Sequence, residues 1–100
     1  MKQYFFLRLI SPRPTFNQDM TAEERSTMQR HVAYWTDLLA KGYVPAFGPV
    51  MDPAGVYGIS VIGVANQAEL DSLIAGDPAQ GLHMRYESFP MRAVVPEGFR

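Results

Sequence analysis

The sequence predicts an α+β domain whose elements run strand, helix, strand, strand, helix, strand, and three observations carry that prediction. Two capping boxes, Thr21-Ala-Glu-Glu24 and Asn66-Gln-Ala-Glu69, each stand just ahead of an apolar run at helical spacing. Stretches that alternate with period two lie before, between and after them. A Pro-Gly reversal, Asp52-Pro-Ala-Gly55, joins the two middle stretches as a hairpin. That order is the ferredoxin-like split βαβ arrangement, with an antiparallel sheet and both helices on one of its faces.

Each element has its own warrant. Lys2 to Ile10 sets Phe5, Leu7 and Leu9 on one side and Tyr4, Phe6 and Ile10 on the other, with Arg8 in the second set, so it reads as a strand with two apolar faces. Ser11 to Met20 contains Pro12 and Pro14, which forbid a regular helix or central strand there and stiffen a loop. The first helix begins at Ala22 and ends at Gly42, about 30 Å of helix that must lie across the whole of a small domain. Its apolar arc holds Met28, Val32, Trp35, Leu38 and Leu39. Tyr43 to Val50 and Val56 to Ala65 form the hairpin, and the second arm again has two apolar faces. Leu70, Leu73 and Ile74 are the buried side of a shorter helix that stops at Gly76. Asp77-Pro78 then turns the chain into a last strand, His83 to Val95, with Pro90 as a bulge or edge marker. Residues 96–100 read as a frayed tail.

Composition bounds the function classes. One hundred residues make a single domain, 1–100. With 47% apolar and 19% charged residues the chain is globular rather than disordered or fibrous. A net charge of -1 supplies no general attraction to nucleic acid or an anionic membrane. The absence of cysteine excludes thiolate zinc ligation, disulfides and a cysteine nucleophile. The apolar start is too short for a signal-peptide core and no stretch reaches the roughly 20 apolar residues of a membrane span, so the cytoplasm is the default location. The first and third strands are apolar on both faces, whereas two helices cover one. The uncovered face calls for the same face of a second copy, a homodimer packed sheet to sheet.

Few residues can carry chemistry. His31 falls within the apolar arc of the long helix, between Trp35 and Leu38, so its ring points toward the sheet. It is either a core histidine bonded to a carbonyl or a general base. Asp77 is either an ordinary turn initiator or the carboxylate that orients that ring, because both helices lie on one side of the sheet and the end of one can approach the body of the other. Arg8 and Arg13 are candidates to hold an anionic substrate, against the reading of solvated or snorkelling arginines. Trp35 and Phe47 are candidates to line a pocket for an aromatic substrate, against simple core packing. His83 is a candidate substrate contact, against an edge-strand residue; as a metal ligand with His31 and Asp77 it lacks any paired-ligand spacing. No cofactor motif is present: the glycines 55, 58 and 63 build no phosphate loop.

His31 on the long helix, Gly48-Pro49 after the second strand, Gly55 and Gly58 in the hairpin, Asp77-Pro78 after the second helix and Pro90 together resemble the YciI-like (YCII-related) domain family, over about Gln3 to Val95. The resemblance implies a dimeric α/β barrel built from ferredoxin-like subunits and an active-site His and Asp that map onto His31 and Asp77. Most such proteins have no established reaction, and a few resemble lyases that remove chloride from chlorinated hydroxylated aromatics. Ala79, where an aromatic often follows Asp-Pro, and the long loop from Ser11 to Met20 depart from the pattern and are expected to touch the pocket wall. The expectation is a homodimeric, cofactor-independent, lyase-like or isomerising protein, without metal, acting on a small organic molecule and able to pair into higher oligomers. Its alternative is a non-catalytic module for a metabolite or protein in which His31 and Asp77 form a structural pair.

Overall fold

A computed structural model describes residues 2–97. Its elements are β1 (Gln3–Ile10), α1 (Phe16–Asp19), α2 (Ala22–Ala40), β2 (Ala46–Val50), β3 (Tyr57–Val64), α3 (Gln67–Ala75), a 3-10 helix (Pro78–Leu82) and β4 (Arg85–Met91). The sheet runs β2-β3-β1-β4 and every pairing is antiparallel. This is the α+β, ferredoxin-like split βαβ order that the sequence predicts. The outer strands β2 and β4 hold Pro49 and Pro90. Of the expected frayed tail, Pro96 and Glu97 are exposed, and 98–100 lie outside the described residues.

Local rules account for most boundaries. The Thr21 side chain accepts from the Glu24 amide at 3.1 Å while Glu24 accepts from the Thr21 amide at 2.8 Å, closing the box that starts α2. Asn66 caps α3 by accepting from the Glu69 amide, but the Glu69 carboxylate takes the amide of Ala65 instead of Asn66, so the second box closes one residue early. The hairpin turn forms as expected, with the Gly55 amide donating to the Asp52 carbonyl at 2.9 Å.

Three expectations need correction. A turn of helix, α1, occurs within the proline loop, because Pro12 and Pro14 block helix only up to their own positions and Phe16, 3% exposed, gains burial by folding back. The second strand begins at Ala46 rather than Tyr43, since Pro45 has no amide to give the ladder. The last strand begins at Arg85 rather than His83, which is left-handed at φ 57° and closes the preceding 3-10 helix.

The helices cover one face of the sheet. Leu7, Trp35, Ile62, Val64 and Leu70 are its centre, each 2% exposed or less. The buried stripe of α2 is turned away from the expected arc: Val32 is 50% exposed and Leu39 38%, while Thr27 is buried. Tyr34 accounts for the turn, because its hydroxyl donates to the Leu73 carbonyl at 2.6 Å and draws that side of α2 toward α3. Burial and the Asp77 carboxylate raise the Tyr34 phenol above its ordinary range. His31 stays inside the stripe.

The other face carries no helix. Register places Phe6 of β1 between Val61 of β3 and Phe89 of β4, Tyr4 beside Met91 and Ile10 beside Arg85, and Phe89 is 49% exposed. Arg8 crosses this face, bonded to Glu87 at 3.3 Å with its guanidinium 4.6 Å above the Tyr57 ring.

Candidate active site

Asp77 leaves α3 and caps the 3-10 helix, its Oδ1 accepting from the Ala79 amide at 2.9 Å. This is the ordinary duty of an aspartate before proline. The remaining bonds are not local. His31 and Trp35 sit one turn apart on α2, on the same side of that helix, and both reach the carboxylate. His31 Nδ1 lies 2.9 Å from Oδ1 and 2.8 Å from Oδ2, and Trp35 Nε1 donates to Oδ2 at 2.7 Å. From β4 the Tyr86 hydroxyl donates to the same Oδ2.

The Asp77 side chain has no exposed surface. A buried carboxylate is tolerated when donors satisfy its oxygens, and here indole, phenol and amide donors already do so. The carboxylate is therefore the acceptor and Nδ1 the donor in the bond to His31. This fixes the tautomer and leaves Nε2 as the nitrogen free to act. The imidazole side chain is 13% exposed and lines a cavity.

That cavity, of about 400 Å³, opens between α2, the turn α1 and the helix-covered face of the sheet. Leu7, Phe16, Met28, Trp35, Phe47 and Met84 give it an apolar wall. The Trp35 and Phe47 rings are neighbours, tilted by 39° with centres 6.5 Å apart, and the Trp35 ring lies 6.4 Å from the imidazole. Ser60 and Tyr86 are also among the lining residues. Among the described residues, no Lys, Arg, Asp or Glu contributes to the wall. The volume suits one small molecule of ring size.

The structure brings His31 and Asp77 together and puts Trp35 and Phe47 in the cavity wall beside them. It sets the other three candidates elsewhere. Arg8 belongs to the sheet face without helices, held by Glu87 and Tyr57. Arg13 is bound into a clamp: Nε donates to Asp19 Oδ1 at 2.7 Å, Nη2 to the Asp19 carbonyl at 3.0 Å, and the two Nη atoms grip Glu24 at 2.7 and 2.9 Å. The Arg13 guanidinium and the Thr21 amide pull the Glu24 carboxyl down to about 2, and the Thr15 hydroxyl and Arg13 lower that of Asp19. His83 is exposed at the end of the 3-10 helix and is not in the wall. Among the described residues, no three His, Cys, Asp or Glu side chains form a metal-binding group.

Of the two departures noted in the sequence, the long loop does meet the cavity, through Phe16, Asn17 and Met20. Ala79 does not: it is fully buried and lies off the wall. Sequence reasoning passed over Tyr86 and Ser60. Alternation along Val56 to Ala65 puts Ser60 on the face of Ile62 and Val64, and the same rule applied to β4 turns Tyr86 inward between Arg85 and Glu87.

The YCII-related domain model matches residues 4–92. No curated protein matches the chain at a significant level. Among solved structures, the chain is similar to 5-chloro-2-hydroxyhydroquinone dehydrochlorinase from Burkholderia phenoliruptrix AC1100 in complex with 2,5-dihydroxybenzoquinone. The two share 20% identity with a TM-score of 0.58, over 83% of this chain and 90% of that one. At this identity the likeness shows a common fold. No helix of the described residues is long and apolar enough to cross a membrane.

Proposed function

This chain belongs to the YCII-related domain family, and we propose that it is a small lyase-like or isomerising enzyme in which His31 moves a proton and Asp77 orients the ring. The single observation that carries this reading is a histidine bonded through Nδ1 to a fully buried carboxylate in the wall of an apolar cavity. In an elimination, Nε2 takes a proton from the substrate, the electrons of that bond form the new double bond, and the leaving group departs with its bonding pair. The imidazolium so formed keeps its Nδ1–H on Asp77, which stabilises the charge at the moment it appears.

The wall speaks for the substrate class. An anion would meet no cation there, since both arginines that the sequence offered are bound to carboxylates elsewhere. A neutral organic molecule of ring size, seated against the wall that Trp35 and Phe47 share, fits the volume and the chemistry. The dehydrochlorinase of like fold acts, by its name, on 5-chloro-2-hydroxyhydroquinone, and a hydroxylated chloroaromatic is the first substrate to try here. Chloride release from that compound is expected to fall by a factor of about 10² or more in His31→Ala. Equal rates for the wild type and the variant would overturn the role of His31.

One observation favours the non-catalytic alternative, in which the pair is structural: Asp77 ties α2, the 3-10 helix and β4 together. The distinction lies in His31 alone. Without its imidazole, Asp77 still receives three donors, so His31→Ala should lower stability little if the histidine is kept for chemistry.

The protein is proposed to act as a homodimer packed through the sheet face that bears Phe6, Ile59, Phe89 and Met91. The exposed apolar side chains of that face, Phe89 and Met91 among them, support that arrangement. Sedimentation should give a species of twice 11.2 kDa, reduced to the monomer by Phe89→Asp. A monomeric wild type at micromolar concentration would overturn the arrangement.

A further inference from the structure

Ser60 sits at the middle of β3, opposite Leu7 of β1 and Phe47 of β2 in register, and all three residues line the cavity. It is 5% exposed, and its hydroxyl has no hydrogen-bond partner among the described residues. The one other buried side-chain atom in that condition, Arg8 Nε, is on the opposite face of the sheet. Buried hydroxyls without partners are rare because leaving one unpaired is unfavourable, and alanine or valine would suit this apolar row better. A polar group kept where it weakens the fold is characteristic of a binding site.

We infer that Ser60 is the specificity-determining residue of this cavity, its hydroxyl meeting a hydroxyl or carbonyl oxygen on the bound molecule. The inference rests on the reading of the cavity as a ligand site and adds the residue that would select among ligands of one shape. A serine hydroxyl turns about a single bond and can donate or accept, so it can serve either kind of oxygen. From the floor of the sheet it would hold the ring at one point while His31, on the helix above, approaches another. A molecule of the same shape without the oxygen would leave the hydroxyl unpaired on binding, which is how a hydrogen-bonding site rejects an apolar analogue.

The test uses phenol and toluene, which share a shape and differ in the one oxygen. The chain has a single tryptophan, Trp35, in the cavity wall. Its lone indole N–H resonance can therefore follow titration of the whole protein with either probe. The wild type is expected to prefer phenol. Ser60→Ala should reduce the phenol-to-toluene affinity ratio by about tenfold, and Ser60→Thr, which keeps the hydroxyl, should restore it. The melting temperature of unliganded Ser60→Ala should equal or exceed that of the wild type. An unchanged ratio in Ser60→Ala with both probes still binding would overturn the role of Ser60 and leave the cavity reading intact. A clear drop in melting temperature would overturn it as well, by revealing a structural bond to that hydroxyl. Failure of both probes to move the Trp35 resonance in the wild type would overturn the cavity reading and the inference together.

Discussion

Two ionic hubs in this protein are built on opposite plans. Asp77 gathers donors from several elements: Trp35 and His31 of α2, 42 and 46 positions away, Tyr86 of β4, and its own neighbour Ala79. Arg13 gives its hydrogen bonds to Asp19 and Glu24, residues only 6 and 11 positions away. The Asp77 side chain has no exposed surface, whereas the Arg13 side chain remains 34% exposed. The contrast shows that bond number does not measure structural consequence. Water can replace every partner of Arg13 and none of those of Asp77.

The largest expected effect therefore belongs to Asp77. Asp77→Ala orphans indole, phenol and imidazole donors in one step and should destabilise the fold by about 3–5 kcal/mol in chemical denaturation. A loss under about 1 kcal/mol would erase the contrast between the hubs. His31→Ala comes next, with about 1 kcal/mol or less, because three donors remain on the carboxylate. A loss as large as that of Asp77→Ala would make the histidine a pillar of the fold.

The clamp is best broken with acid. The Glu24 carboxyl lies at about 2 in the fold against 4.5 unperturbed, so its contribution is fully present above pH 4.5 and is lost as the pH falls toward 2. Thermal melts across that window should show a slope in the wild type that is diminished in Glu24→Gln. Identical slopes would mean that the clamp adds nothing to stability. Smallest of all is the response to salt. Added sodium chloride should narrow the difference between wild type and Glu24→Gln while leaving the deficit of Asp77→Ala nearly unchanged, because exposed ion pairs are screened and buried ones are not.

The same division explains what could be read from the sequence. Thr21 and Glu24 announce the start of α2 because a capping box is a contract among four consecutive residues. Asp77 and His31 could be paired because the split βαβ order puts both helices on one side of the sheet. The share of Trp35 in that site was half visible: its place on the apolar arc is a matter of periodicity, but the direction of its indole N–H depends on how far α2 is rolled over the sheet. Tyr34 and Leu73 set that roll, through a bond across 39 residues. Periodicity alone therefore left Val32 and Leu39 inside the arc. Arg13 illustrates the reverse case. Its partners are close in sequence, but the turn α1 that brings Asp19 back toward it was hidden behind two prolines.

The prolines of the outer strands have a consequence for the protein at high concentration. A sheet grows into a fibre by recruiting further strands along its rims, through a row of unused amide donors. Pro49 interrupts that row on one rim and Pro90 on the other. Lateral recruitment is thus discouraged at both ends of the ladder, so endless ribbons are disfavoured.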